Sequence, residues 1–127
     1  MQNKTKVLVV DDEQGILNFV RVSLDLFGYE VITTTTGAEA LQLAKSKKLH
    51  LVILDIVMAP MDGLEVLLEL RTFSKVPVIV FTALSSVSKQ ALELGANGSI
   101  AKPFLPLALN NKIQEVLSKD RKSRIIK

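Results

Sequence analysis

Apolar residues fall along this chain in short continuous runs, separated by stretches in which they recur every three or four positions. The runs KVLVV (6–10), YEVIT (29–33), HLVIL (50–54), VPVIV (76–80) and GSIA (98–101) are rich in β-branched residues and predict five strands. The intervening stretches 14–27, 38–46, 64–73, 87–94 and 105–117 predict five amphipathic helices; in the first, Ile16, Leu17, Val20, Leu24 and Phe27 share one face. Punctuation agrees with this division. Thr36 and Glu39 have the spacing of a capping box, Pro106 stands near a helix start, and Gly28 and Gly95 fall where helices should stop.

Strict alternation of strand and helix, with strands that are apolar rather than alternating, implies parallel strands covered on both faces and joined by right-handed crossovers. The expected fold is a doubly wound α/β domain of five parallel strands. A chain of 127 residues suits one domain, and no internal repeat or low-complexity tract marks a second. Residues 1–119 are expected to form that domain, with 120–127 as a basic tail or the start of a linker.

Charge adds little to the fold but locates the basic character. The net charge is +3; residues 1–111 hold 10 Lys/Arg against 11 Asp/Glu, and residues 112–127 hold 6 against 2. A basic surface confined to one helix end fits a favourable helix terminus better than a nucleic-acid site, so direct nucleic-acid binding by this domain is not expected. With no cysteine, the chain offers no disulfide, zinc-thiolate site or thiol nucleophile, which fits a reducing cytoplasm. The opening MQNKTK leads into a strand rather than an apolar signal segment, and no run is long enough to span a membrane.

In an open α/β sheet, ligands bind beyond the carboxyl ends of the strands. Strand one ends in Asp11-Asp12-Glu13, strand three in Asp55, strand four in Thr82-Ala83 and strand five in Lys102-Pro103, so the polar candidates share one sheet edge. Three crowded aspartates raise one another's pKa or recruit a cation. An oxygen-only donor set without His or Cys suits a hard ion such as Mg2+. Lys102 offers a positive charge on a flexible stem and Thr82 a hydroxyl, a set able to stabilise a transferring phosphoryl group. Asp55, alone at the tip of the middle strand, is then the natural nucleophile.

The ordered set Asp11-Asp12, Asp55 with Met58, Asp62-Gly63, Thr82-Ala83, Gly95-Ala96 and Lys102-Pro103-Phe104 resembles the receiver domain of bacterial two-component response regulators over essentially the whole chain. The resemblance implies the flavodoxin-like strand order 2-1-3-4-5. It implies Asp55 as phosphoacceptor from a histidine kinase or phosphotransfer protein, and Mg2+ held by Asp11, Asp12, Asp55 and the backbone carbonyl of Val57. Thr82 and Lys102 would contact the phosphoryl group, and the Lys102-Pro103 bond would be cis. Thr82, Ala83 and Ser99 would belong to the switch, and helix four, strand five and helix five would form the output surface toward a downstream effector domain or protein. A phosphorylation-dependent homodimer is compatible with this, and the module would be no enzyme beyond slow self-dephosphorylation.

Three positions depart from the family pattern. Pro60 follows Ala59 one place late in the loop after Asp55, Ser99 stands where an aromatic switch residue is usual, and the span from Thr82 to Gly95 is short by roughly half a helical turn. The last two motivate an alternative, a phosphorylation-independent protein-interaction module on the same fold. Other uses of the sheet fit less well. A flavodoxin needs a phosphate cradle where Asp11-Asp12-Glu13 would repel phosphate, and an aspartate phosphatase needs Asp-x-Asp on strand one. The bland alternative is that Asp11 and Asp12 cap helix one, Thr82 caps a helix and Lys102 is a solvated surface residue. Met58 and Met61 are expected as loop anchors, His50 as a surface residue at the start of strand three, and Tyr29 as strand-edge packing.

Overall fold

Because the runs 7–10, 51–55 and 78–82 are buried on both faces, the strands they form have to be covered twice, and the chain does this by crossing over after each strand. The computed structural model describes residues 4–126, so Met1 to Asn3 of the expected lead-in and Lys127 of the expected tail lie outside the described residues. The elements run β1 (Lys6–Val10), α1 (Gln14–Leu26), β2 (Glu30–Thr34), α2 (Gly37–Ser46), β3 (Leu51–Asp55), α3 (Gly63–Arg71), β4 (Val78–Thr82), α4 (Ser85–Glu93), β5 (Gly98–Ala101) and α5 (Pro106–Ile126). All pairings are parallel, in the order β2-β1-β3-β4-β5. This is the doubly wound sheet that the alternation predicts, in the flavodoxin-like order that the resemblance implies.

Side-chain parity divides the core in two. Val9, Ile53 and Phe81 face α1 and α5, where they meet Leu17, Val20, Leu24, Leu109 and Ile113. Leu8, Val10, Leu54 and Val80 face the other way, onto Ala40 of α2, Val66, Leu67 and Leu70 of α3 and Ala91 of α4. Each fully buried aliphatic side chain contributes roughly 1.5–3 kcal/mol relative to exposure, so the sheet is the rigid part of the molecule.

Several boundaries move from their expected places. β3 and β4 run past their apolar runs to end at Asp55 and Thr82, the strand ends expected for them. α5 continues from the expected Leu117 to Ile126, so the basic stretch expected as tail or linker is helical through that residue. Lys119, Asp120, Arg121 and Lys122 carry no breaker, and Lys and Arg are good helix formers. Gly28 and Gly95 follow α1 and α4 with φ of 89° and 111°, the left-handed conformation that ends helices there.

Thr36 caps α2 by accepting from the Glu39 amide, but the Glu39 carboxylate binds the Thr34 hydroxyl instead of closing the box. The reciprocal capping box is Asp62 with Glu65, at the start of α3. Tyr29 is not edge packing: it is buried, and its hydroxyl donates to Asn110 Oδ1 at 2.7 Å, tying the start of β2 to α5. His50 is exposed, and its Nδ1 accepts the Lys6 amide at 2.9 Å at the end of the sheet opposite the aspartates.

Candidate functional site

The same parity that builds the core aims the chemistry. Asp11 lies two residues beyond Val9 and Asp55 two beyond Ile53, so both continue the face that packs on α1 and α5. Lys102, two beyond Ile100, reaches them from β5. Its Nζ lies 2.9 Å from Asp11 Oδ2 and 3.5 Å from Asp55 Oδ1. Asp11 is fully buried and Asp55 nearly so, while Asp12 is exposed. One carboxylate oxygen from each of Asp11, Asp12 and Asp55 lies within 4.8 Å of the others.

The bland reading of the acidic pair fails on geometry. Asp11 Oδ1 accepts from the Glu13 amide at 2.8 Å, short of the helix proper. The N-cap of α1 is Glu13, and no side chain caps that helix. Lys102 is likewise no freely solvated lysine, because its ammonium also stands 4.6 Å from the centre of the Phe81 ring. Phe104 packs edge-on against Phe81 and touches Phe19 of α1, at centroid distances of 6.0 and 6.2 Å. Phe81 is a supporting residue that the strand-end reading passed over. The signal for it was its register opposite Ile100, which places it under the lysine two residues on.

Electrostatics follow from this packing. Burial raises the Asp55 pKa, the neighbouring Asp11 charge raises it further, and Lys102 and the Val57 amide hold it down, leaving it at about 6 against an ordinary 3.8. For Lys102, burial is the largest single influence and lowers its pKa. The hydrogen bond and charge of Asp11, joined by Asp55, outweigh it, so the ammonium is held above its ordinary value. The site is a carboxylate cluster short of positive charge. It fits a divalent cation by donor type, by spacing and by the unfavourable energy of Asp55 when ionised without one.

Thr82 points to the opposite parity, with Val80, and is buried; its Oγ1 accepts from the Leu84 amide at 3.2 Å. It lines, with Glu13, Asp55, Val57, Ala83, Leu84 and Lys102, a cleft of about 300 Å³. Val57 and Leu84 are exposed at its rim. The Val57 amide donates to Asp55 Oδ1 at 3.3 Å. The Lys102-Pro103 peptide is cis, and so is Ala59-Pro60.

Behind Asp55 the turn closes on Gly63, whose amide donates to the Ile56 carbonyl at 2.8 Å. A Cβ there would lie 2.6 Å from Ile56 Cα and closer still to the Asp55 carbonyl oxygen. Gly63 is therefore a site-building residue that sequence reasoning named only as part of a motif. Ser99 pairs with Val80 in β5, half-buried on the α4 side, away from Lys102. The shortening after Thr82 is taken in the connection: Ala83 and Leu84 alone separate β4 from α4, which begins at Ser85, earlier than the expected 87.

The response regulator receiver domain family matches residues 7–114. The chain belongs to that family. Over 116 residues it is 46% identical to the probable transcriptional regulator ycf27 of Porphyridium aerugineum, covering 90% of this chain and 48% of that protein. Over 115 residues it is 37% identical to the alkaline phosphatase synthesis transcriptional regulatory protein PhoP of Bacillus subtilis (strain 168), covering 88% of this chain and 48% of that one. The receiver thus spans about half the length of these curated relatives. Among solved structures, the Vibrio cholerae chemotaxis protein CheY4 superposes with a TM-score of 0.82 at 35% identity, covering 90% of this chain and 99% of that one. The protein is a receiver domain of two-component signalling, and no described helix is long and apolar enough to cross a membrane.

Proposed function

We propose that this receiver takes a phosphoryl group onto Asp55 from a phosphohistidine of a histidine kinase or phosphotransfer protein, and passes the change to a downstream effector. The observation that carries the reading is the Lys102 ammonium set between buried Asp11 and Asp55, with three carboxylates converging within 4.8 Å. An apolar strand has no structural need for a carboxylate pair at this edge, and burying one with a single cation is costly.

Asp11, Asp12, Asp55 and the Val57 carbonyl are the groups that would hold Mg2+. When bound, the ion supplies charge compensation for the phosphoryl oxygens and for the carboxylates together. The rest is the work of the chain. The rigid strand β3 holds the Asp55 carboxylate at the floor of the cleft, and an Asp55 oxygen attacks phosphorus. The P–N bond to the donor imidazole breaks, and its electron pair stays on that nitrogen. Lys102 keeps its proton and pairs with the phosphoryl oxygens, and the Thr82 hydroxyl leaves the Leu84 amide to donate to another. Water attack on phosphorus later breaks the P–O bond to Asp55, releases inorganic phosphate and restores the carboxylate, making self-dephosphorylation a slow consequence of an open cleft.

The signal leaves across α4, β5 and α5. Half-buried Ser99 provides no ring to follow Thr82, so the change travels through the Ala83-Leu84 connection and the start of α4. Intact-mass measurement after incubation with a small phosphodonor and Mg2+ tests the reading. One phosphoryl adduct that requires Mg2+ and disappears in Asp55→Asn is expected. No adduct under any condition would favour the phosphorylation-independent interaction module instead.

A further inference from the structure

Glu13 is unexplained by the fold. It occupies the N-cap of α1, where Ser, Thr, Asp or Asn would serve best, and its carboxylate makes no cap hydrogen bond. It is exposed, and it lines the same cleft as Asp55, Thr82 and Lys102. The remaining exposed side chains of that rim include the apolar Val57 and Leu84, which carry no charge to offset it. The lysine of the cleft is already committed to Asp11 and Asp55. Even with a bound divalent cation, four carboxylates against one ammonium leave the cleft net negative.

That imbalance matters most where the leaving group departs. In-line attack by Asp55 from the cleft floor directs the departing group outward, past the mouth. We infer that Glu13 is a specificity-determining residue for the phosphodonor, a fixed charge at the mouth that favours donors with a neutral leaving group and disfavours those that release an anion. The inference rests on the phosphoacceptor reading above. With phosphoramidate, whose nitrogen is already protonated, the P–N bond breaks and neutral ammonia leaves with the bonding pair; with phosphohistidine, the other ring nitrogen carries the proton, and neutral imidazole leaves with the pair on the nitrogen that held phosphorus. With an acyl phosphate such as acetyl phosphate, the P–O bond breaks and acetate carries the pair away as a full negative charge. Glu13 repels that charge as it develops and also repels the more highly charged donor on approach. The effect of one carboxylate across a water-filled cleft is roughly two- to tenfold in rate.

The test compares the initial rates of adduct formation with acetyl phosphate and with phosphoramidate, at fixed Mg2+, for wild type, Glu13→Gln and Glu13→Asp. The readout is the ratio of the two rates, which a general change in cation binding or folding leaves in place. Expected is a rise in the acetyl phosphate to phosphoramidate ratio of roughly two- to tenfold in Glu13→Gln, near-wild-type discrimination in Glu13→Asp, and a smaller difference between variants at high salt. Adducts with both donors and an unchanged ratio in Glu13→Gln would overturn the charge filter alone. No adduct on the wild type with either donor would overturn the phosphoacceptor reading beneath it.

Discussion

Lys102 Nζ lies 2.9 Å from Asp11 Oδ2 and 3.5 Å from Asp55 Oδ1, so a single ammonium bridges two buried carboxylates across the carboxyl edge of the sheet. Removing it leaves the pair facing each other without an internal cation. In Lys102→Met, the Asp55 carboxyl is expected to titrate above the value of about 6 that it has with the lysine in place, because the attraction that holds it down is lost. Phosphoryl transfer is expected to slow roughly 100-fold, the scale for deleting one fixed positive partner of a developing charge. Carboxyl-carbon NMR titration and adduct kinetics read the two effects; an unmoved Asp55 titration would show that the bridge is not electrostatically significant.

The raised Asp55 pKa has a sign in stability. The folded value of about 6 exceeds the ordinary 3.8, so the native state binds this proton more tightly than the unfolded chain does. The associated stability is fully present below pH 3.8 and is lost as pH rises through about 6. Two pKa units correspond to roughly 3 kcal/mol, and solvent in the open cleft screens this to about 1–2 kcal/mol. Asp55→Asn should therefore gain on the wild type between pH 4 and pH 7.5 when divalent ions are chelated. Urea unfolding at the two pH values checks it, and a difference that stays constant would contradict the assignment.

Gly63 is required by closeness rather than by backbone conformation, since a Cβ would enter the backbone of Asp55 and Ile56. Nothing flexible is available to yield there. Gly63→Ala is expected to cost about 2–4 kcal/mol and to displace the phosphoacceptor, lowering adduct formation as well as stability. Gly15 is its control: a Cβ there meets nothing within 4 Å, and Gly15 lies in α1. Gly15→Ala should stabilise by roughly 0.5–1 kcal/mol in the same denaturant series.

The contrast between Gly63 and Asp55 shows what was legible in the sequence. Asp55, Asp11 and Lys102 were visible because strand ends are written locally, in where an apolar run stops. The parallel, doubly wound sheet followed from the alternation of elements, and the strand order from the resemblance alone. Gly63 and Phe81 act through contacts between segments apart in sequence, and nothing local distinguishes them from any turn glycine or core aromatic. The reach of α5 to Ile126 was missed for a different reason. From Lys119 to Lys122 no residue is buried, so the hydrophobic period that marks a helix fades before the helix does.

Arg71, at the end of α3, donates from Nε and Nη2 to the Gly95 carbonyl at 3.1 and 3.0 Å, from Nη2 to Asn97 Oδ1 at 3.0 Å, and from Nη1 to the Ser74 carbonyl at 3.2 Å. Asn97 Oδ1 also accepts the Val78 amide at 2.9 Å, so one guanidinium joins α3, the turn after α4 and the start of β4. The other end of α4 is held more weakly: its N-cap, Leu84, has no side-chain cap, and its amide depends on the Thr82 hydroxyl. α4 is thus anchored at its C-terminus and releasable at its N-terminus. Arg71→Met is expected to cost about 1–3 kcal/mol by stranding these acceptors, and Arg71→Lys should restore little, because a compact ammonium cannot span the fork. Hydrogen exchange should show lost protection around residues 91–98 in both variants, with the amides of β1 and β3 unchanged. Equal loss throughout the sheet would mean that Arg71 supports the whole fold and not this one anchor.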